Sequence, residues 1–280
     1  MILIWGAAYP IYKVALSYTP PLIFAGMRAS IGGAILGVIL LVLNKKISWK
    51  NNWLKYCISA FLNTLCFFGL QTVGLEYLSS GLFAILIYFQ PVLVCVFAWI
   101  WLGENINFIK MIGLILGFSG ISIVSIKSFF DQLSIIGIVL GLLTAILWAA
   151  GVCYVKKVSH EVDAFWMVAL QNIIGGGALL IIGNFFEKWS DISWEIGYTS
   201  GLIYGSILGI PIAFLIYYDL INKGDASKVS SFTFLIPIVS VFIGYIFLKE
   251  SITYTVSIGL FFVVISICLV NIDFKKLANK

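Results

Sequence analysis

The stretch WGAAYPIYKVALSYTPPLIFAGMRASIGGA at residues 5–34 recurs in altered form as WAAGVCYVKKVSHEVDAFWMVALQNIIGGG at residues 148–177. The two stretches align at a constant separation of 143 residues, and the later parts of the two halves align at a separation of 146. The aligned pairs are Trp5 with Trp148, Lys13 with Lys156, Arg28 with Gln171, Pro91 with Pro237, and Glu104 with Glu250. An internal duplication of this length predicts two copies of one structural unit.

The composition places the duplicated unit in a membrane. Hydrophobic residues make up 61% of the 280 residues and charged residues only 10%, whereas a soluble domain has roughly 25% charged residues. The mean hydropathy is +1.08. The net charge of +5 does not indicate nucleic acid, because the basic residues lie in short loops without a patch or a stacking platform. We therefore expect a lipid bilayer around the protein and no nucleic-acid partner.

Ten apolar segments approach the ~20 residues that a membrane-spanning helix needs. Helices are predicted rather than strands, because the runs are long and each backbone amide must be satisfied within its own segment. The predicted spans 1 to 10 are residues 1–17, 21–43, 53–75, 79–102, 108–126, 134–155, 164–185, 198–220, 228–248 and 254–272.

Five spans per repeat is an odd number, so the second repeat enters the membrane upside down relative to the first. The predicted fold is an all-α integral membrane protein with ten transmembrane helices in two inverted five-helix repeats. Twelve lysines lie in the loops on the side of both termini and three in the opposite loops. This asymmetry predicts a multi-pass protein of the cell (cytoplasmic) membrane with both termini in the cytoplasm, Glu104 on the inner side and Glu250 on the outer side.

Three regions are expected along the chain. The first repeat covers residues 1–127, the second repeat covers 134–273, and residues 274–280 form a basic cytoplasmic tail. Fourteen largely apolar residues, 134–147, precede Trp148, whereas four precede Trp5. The first span is therefore expected to be truncated at its N-terminal end.

Four stretches of the chain resemble the EamA-type, ten-span branch of the drug/metabolite transporter superfamily. They cover nearly the whole sequence, and the only departures are the short first span and Lys249, where the family often has glycine. The stretches are Trp5 to Pro10 with Lys13, Pro20, Pro21 and Arg28; Trp148 to Gly151 with Lys156, Lys157, Asp163 and Gln171; Pro91 to Glu104; and Ala226 to Glu250.

The resemblance implies a secondary transporter that exports small polar metabolites such as amino acids. Inverted repeats imply alternating access around a site where the repeats meet. An organic-anion or sugar-phosphate exchanger of the same superfamily is a second interpretation, and a non-transporting membrane assembly protein is a third. A small-molecule substrate is expected, and a homodimer is left open. An enzyme is not favoured, because the sequence has no nucleophile–base pair, metal-ligand cluster or nucleotide loop, and no cofactor or metal is predicted.

Lys13 and Arg28 are the charged candidates for substrate binding. Both lie inside predicted spans, where an ionisable group costs ~2.5–3.5 kcal/mol at the membrane centre. Either side chain could hold a carboxylate or a phosphate. Alternatively, either one pairs with Glu76 or with helix carbonyls, or extends to the outer interface.

Uncharged polar and aromatic side chains complete the candidate site. Gln90 is the first choice among the amides, because it stands beside the helix break that Pro91 predicts. Amides inside spans generally cross-link helices, and rings generally pack, so these roles are the alternatives for each residue. The further candidates are Asn63, Gln71, Gln171, Trp5, Tyr9, Tyr88 and Trp148. The five cysteines all fall in apolar segments and are predicted to be free thiols.

Overall fold

The computed structural model describes residues 1–77, 83, 86–124, 134–248 and 254–271. Within these ranges each predicted span contains a helix and there is no strand, which confirms the predicted all-α, ten-span fold. The helices are Ile2–Leu16 (span 1), Pro21–Val42 (span 2), Trp49–Ala60, Phe61–Cys66 and Phe67–Tyr77 (span 3), Gln90–Leu102 (span 4), Phe108–Val124 (span 5), Ile135–Lys157 (span 6), Ala164–Phe186 (span 7), Ile196–Tyr204, Gly205–Ile212 and Ala213–Lys223 (span 8), Ala226–Ser231, Phe232–Phe234 and Leu235–Leu248 (span 9), and Tyr254–Asn271 (span 10).

Five of these spans are long, apolar helices of 22 to 28 residues, enough to cross a bilayer. They are spans 2, 3, 6, 7 and 8. Span 3 begins at Trp49, four residues before its predicted start, because the helix includes one polar turn before its apolar part. In that turn Asn52 is buried, and its amide donates a hydrogen bond to the backbone oxygen of Glu161 over 3.1 Å. Hydropathy alone assigned these polar residues to a loop.

Repeat-related spans pack directly against each other. Span 2 lies on span 7 so closely that a methyl group at Gly33 would be 2.7 Å from the backbone oxygen of Ala169. Spans 5 and 10 meet in the same way, since a methyl group at Gly120 would be 2.7 Å from the oxygen of Gly259. Contacts between equivalent elements are isologous, as at a two-fold axis. The duplicated glycines therefore place a pseudo-two-fold axis through the middle of the molecule.

Spans 3 and 8 each contain a π-helical segment in mid-span. The segments are Phe61–Cys66 and Gly205–Ile212, whose first residues are 144 positions apart, close to the separation of the sequence repeats. The second segment contains Pro211, which lacks an N–H donor. Wider π turns inside α-helices are rare and are frequent at functional sites. Their equivalent placement marks the middle of these two spans.

The short connection from span 6 to span 7 defines one end of the molecule. Asp163 caps span 7 by accepting hydrogen bonds from the backbone N–H groups of Phe165 and Trp166 over 2.9 and 3.1 Å. Span 7 then runs for 23 residues, about 34 Å at 1.5 Å per residue, to Glu187 at the opposite end. Because Glu104 contacts Lys156 near the start of this connection, we call the two ends the Glu104 end and the Glu187 end.

Candidate functional site

Six aromatic rings from four spans meet on the pseudo-two-fold axis, between the two ends. We call them the aromatic cluster. Trp5 and Trp148, which the repeat aligns with each other, are in edge contact with ring centroids 6.2 Å apart. Equivalent residues can touch only close to the axis that relates them, so the cluster lies where the repeats meet. Its members are Trp5 of span 1, Phe67 and Phe68 of span 3, Trp148 of span 6, and Phe214 and Tyr217 of span 8.

The ring positions are fixed by close contacts within the cluster. Trp5 contacts Phe214 and Tyr217 at centroid distances of 5.1 and 5.3 Å, and its indole N–H donates to the backbone oxygen of Gly209 over 3.1 Å. Gly209 belongs to the π-helical segment of span 8. The irregular turn therefore supplies the acceptor that orients Trp5.

Two polar atoms beside the cluster are buried without a hydrogen-bond partner among the described residues. One is the indole nitrogen of Trp148, a donor, and the other is Oε1 of Gln90, an acceptor. The Gln90 amide nitrogen donates to the hydroxyl of Tyr217 over 3.5 Å, and that hydroxyl also bonds Ser230 Oγ at 2.9 Å. An unsatisfied buried polar group costs about 1–3 kcal/mol and requires an explanation. Each of these two atoms could form a hydrogen bond with a polar molecule.

Arg28 borders the cluster from span 2. Its side chain is 4% exposed, and its guanidinium carbon lies 4.2 Å from the ring centre of Phe68 and 4.6 Å from that of Tyr12. Within the described ranges it has no ion pair, its Nε has no hydrogen bond, and Glu76 does not pair with it. Cation–π contacts of a desolvated cation are worth about 2 kcal/mol, which keeps the guanidinium in place without an acid. Arg28 is thus a buried cation beside aromatic rings, without an acidic partner in the described ranges.

Lys13 does not join this arrangement. Its side chain is exposed, and no ion pair holds it within the part of the chain that is described. Tyr9 lies in the helix of span 1, but its side chain is outside the described part of the structure. Tyr88 is buried beside Trp148, with ring centroids 6.5 Å apart.

The predicted amides divide between two roles. Gln171 and Asn63 belong to a ladder that cross-links spans 3, 7 and 8. Ser59 accepts from the Asn63 amide over 3.2 Å and donates to Gln171 Oε1 over 2.6 Å. Gln171 in turn donates to the hydroxyl of Tyr218 over 3.4 Å. Gln90 lies beside the cluster, where its amide donates to Tyr217, and Gln71 is half-buried on span 3.

Sequence reasoning missed four members of the cluster and Tyr12, a second ring beside Arg28. Phe67, Phe68, Phe214 and Tyr217 were not singled out in a chain where 16% of the residues are aromatic. A usable signal was present in span 8, where aromatic residues recur at positions 214, 217 and 218, one helical face, directly after Pro211.

Ten apolar helical spans in two repeat-related sets define a multi-pass membrane protein built from an internal duplication. The sequence profile of the EamA-like transporter family matches residues 1–126 and 135–272, so the chain belongs to this family of the drug/metabolite transporter superfamily. The resemblance inferred from the sequence motifs is confirmed.

The names of similar proteins, at least one of which is called a transporter, state no substrate. The chain is 45% identical to the uncharacterized transporter YvbV of Bacillus subtilis (strain 168), over 98% of this chain and 90% of that protein. It is 30% identical to the chloroplastic WAT1-related protein At3g02690 of Arabidopsis thaliana, over 95% of this chain and 66% of that protein. A crystal structure of another protein superposes with a TM-score of 0.86 at 14% identity, covering 96% of this chain and 93% of that one, and so shares the fold.

Proposed function

We propose that this transporter exports small polar metabolites that carry one carboxylate, such as amino acids, by alternating access between its two repeats. The single observation that carries the proposal is Arg28, a buried guanidinium beside the aromatic cluster with no acidic partner among the described residues. A buried charge is generally paired, because its desolvation is costly. A substrate carboxylate is the natural partner, since the guanidinium can hold it with two parallel hydrogen bonds.

The aromatic cluster and its neighbour Gln90 offer groups that match the rest of such a molecule. The rings of the aromatic cluster offer apolar contact to a side chain. Gln90 Oε1 and the indole N–H of Trp148 have no partner among the described residues, so the first can accept from an ammonium group and the second can donate to an oxygen. An amino acid presents a carboxylate, an ammonium group and an apolar or polar body, and so uses all of these groups.

The exchange of sugar phosphates is less well supported. A phosphate carries up to two negative charges and is usually held by more than one cation. Lys13, the other cation inside the first two spans, is exposed, which leaves Arg28 as the buried cation beside the cluster in the described structure. One buried cation favours a singly charged group.

The proposed setting is the cytoplasmic membrane, with both termini and the Glu104 end on the cytoplasmic side. The excess of lysines in the loops on this side, twelve against three, supports this orientation.

The test is flux in proteoliposomes. Purified protein is reconstituted with labelled leucine, phenylalanine, glutamate or glucose 6-phosphate inside, and efflux is measured with and without the same compound outside. Net efflux of leucine or phenylalanine, each with one carboxylate, is expected. Obligatory exchange of a phosphorylated sugar would favour the exchanger, and no flux of any compound would favour an assembly protein.

Arg28→Met is the variant that tests the site. Loss of a charged hydrogen bond of about 1.5–3 kcal/mol is expected to raise KM about tenfold or more. Lys13→Met is the matched control, since it removes the exposed cation of the same region and should leave KM within about threefold of the parent. An unchanged KM in Arg28→Met would refute the assigned role of this residue.

A further inference from the structure

The Glu104 carboxylate, in the loop after span 4, is enclosed by groups from three other spans. Lys156 Nζ lies 3.0 Å from its Oε1 and Lys110 Nζ lies 3.8 Å from its Oε2. The backbone N–H of Ala226 donates to Oε1 over 2.5 Å, and both the N–H and the hydroxyl of Ser227 donate to Oε2. The Glu104 side chain is 9% exposed. We call these five residues the Glu104 clasp.

The clasp fastens the two repeats to each other at one end. Glu104 and Lys110 come from the first repeat, whereas Lys156 and the first turn of span 9 come from the second. Lys156 also donates to the backbone oxygen of Gly224, in the connection between spans 8 and 9. The ends of spans 4, 5, 6, 8 and 9 are therefore joined through one carboxylate and two ammonium groups.

The Glu104 carboxylate is held in its charged form. Burial raises its pKa, but hydrogen bonds from Ser227, Lys156 and Ala226, together with the charge of Lys156, outweigh burial and leave the pKa below the ordinary value. The positive end of the span 9 helix favours the same ionised state. The clasp thus persists at neutral pH as a charged, hydrogen-bonded contact.

The clasp lies further toward this end of the molecule than the aromatic cluster. Trp148 is eight residues before Lys156 on the same helix, about 12 Å along the axis. Between them, Cys153 is fully buried against span 4, with its sulfur 3.7 Å from the backbone oxygen of Val94. Spans 6 and 8, which the clasp joins, also contribute rings to the aromatic cluster.

The repeat counterpart of Lys156 is in a different state. Lys13 occupies the equivalent position in the first repeat, yet it is exposed and without an ion pair in the described ranges, whereas Lys156 is held by the clasp. Glu250, which the repeat aligns with Glu104, lies outside the described residues. The two equivalent lysines are thus in different environments in this one conformation.

We propose that the Glu104 clasp is the gate that closes the transport path at this end of the protein. Glu104 and Lys156 act by positioning the ends of spans 4, 6 and 9 and do not touch the substrate. Opening requires the carboxylate to leave the first turn of span 9 and the ammonium group of Lys156, which separates the two repeats at this end. The proposal rests on the transport function proposed above.

The experiment uses Cys153 as a native reporter of opening. In the full chain, Cys57, Cys66, Cys95 and Cys268 are replaced by serine, and the rate at which a water-soluble maleimide modifies Cys153 is followed by mass spectrometry of the intact protein. Glu104→Gln is expected to raise this rate about tenfold, because loss of one charged hydrogen bond shifts a two-state equilibrium by about that factor. Ser227→Ala, which keeps the charge and removes one donor, is expected to raise it about threefold.

Two controls separate a gate from a general structural role. Glu161→Gln removes a carboxylate that pairs with Lys55 at the same end but lies outside the clasp, and it should leave the Cys153 rate unchanged. A second version of the chain keeps Cys66, in the middle of span 3, as its only cysteine. A gate predicts no change of the Cys66 rate in Glu104→Gln, whereas equal increases at both cysteines would indicate loosening of the fold and overturn the proposal.

The remaining outcomes are also decisive. An unchanged Cys153 rate in folded Glu104→Gln would overturn the gate; if that variant does not fold, an unchanged rate in Ser227→Ala would do so. Because labelling needs no substrate, faster labelling without flux of any tested compound would support the gate and refute the proposed substrates. Flux that depends on Arg28, with unchanged labelling, would refute only the gate.

Discussion

The Glu104 end and the Glu187 end contain the same type of contact, but the charged residues around the two contacts differ. At each end a carboxylate from one repeat accepts hydrogen bonds from the first turn of a helix in the other repeat. Glu104 accepts from Ala226 and Ser227 of span 9, and Glu187 accepts from the N–H groups of Leu22 and Ile23 of span 2, both over 2.8 Å. Both contacts satisfy donors that a helix leaves free at its start.

The neighbours of the two carboxylates have opposite signs. Lys110 and Lys156 surround Glu104, whereas Glu187 is half-buried and feels the negative charge of Glu76. Burial raises the pKa of Glu187, the two backbone hydrogen bonds lower it, and Glu76 raises it, so that the pKa lies above its ordinary value. The pKa of Glu104 lies below its ordinary value. Hydrogen bonds from a helix start alone do not lower the pKa of the half-buried Glu187, whereas the additional hydrogen bonds from the Ser227 hydroxyl and Lys156, with the charge of Lys156, lower the pKa of Glu104.

The largest effect is expected from removing each carboxylate in turn. Glu104→Ala leaves two lysines without their acid, one of them buried, and should lower the free energy of unfolding by about 3–5 kcal/mol. Glu187→Ala removes only a helix cap and should cost about 1 kcal/mol. Unfolding temperatures of the purified variants in the same detergent provide the comparison. Equal losses would mean that the lysines add nothing to the Glu104 contact.

A smaller effect should separate the two lysines of the clasp. Lys156 is 3.0 Å from the carboxylate and also donates to Gly224, whereas Lys110 is 3.8 Å away. Lys156→Met is expected to cost about 1.5–3 kcal/mol, the range of charged hydrogen bonds. Lys110→Met should cost about 1 kcal/mol or less, because it also removes the cost of burying an ammonium group.

The same unfolding measurement tests this order, and the Cys153 labelling rate provides a second reading. Lys156→Met should speed labelling more than Lys110→Met. The opposite order would indicate that the longer contact carries the clasp.

The pH dependence of stability should differ between the ends. The lowered pKa of Glu104 means that its contribution is present above the ordinary pKa of 4.5 and is lost as pH falls below that value. The raised pKa of Glu187 has the opposite sign, because the folded protein binds the proton more tightly than the unfolded chain. Keeping Glu187 ionised in the folded protein costs free energy at neutral pH. This cost is relieved as pH falls through the raised pKa, which lies above 4.5.

Unfolding temperatures from pH 7 to pH 4 check this difference. As pH falls toward 4.5, the unfolding temperature of the parent should rise relative to that of Glu187→Gln. The difference in unfolding temperature between the parent and Glu104→Gln should stay constant above pH 4.5 and shrink below it. A Glu104 gap that already shrinks near neutral pH would contradict the lowered pKa.

The smallest effect is expected at an exposed pair near the clasp. Lys55 and Glu161 are 2.5 Å apart, but the Glu161 side chain is 60% exposed. Glu161→Gln should change the free energy of unfolding by about 0.2–1 kcal/mol, as exposed ion pairs generally do. A larger change would show that closeness of the charges, and not burial, distinguishes Glu104 from the other acids at this end.

Several features of the site followed from the sequence, and others did not. Arg28 stood out because a cation inside an apolar span is costly, and the structure places it beside the aromatic cluster. Lys13 stood out for the same reason, yet its side chain is exposed, since hydropathy does not say which side of a helix a residue occupies. Gln171 was a candidate ligand, but in the structure its amide cross-links three spans. The assignment of these residues to the substrate stays a prediction.

The sequence by itself determined the ten spans, the duplication and the family, because apolar runs and repeated motifs are local properties that a chain carries in one dimension. Only the tertiary structure decided that Trp5 meets Trp148, that Arg28 lies between rings, and that Glu104 reaches a helix start 122 residues later in the chain. These contacts join spans that are far apart in sequence. They depend on the rotation of each helix and on its depth, which packing of the duplicated glycines sets and hydropathy does not encode.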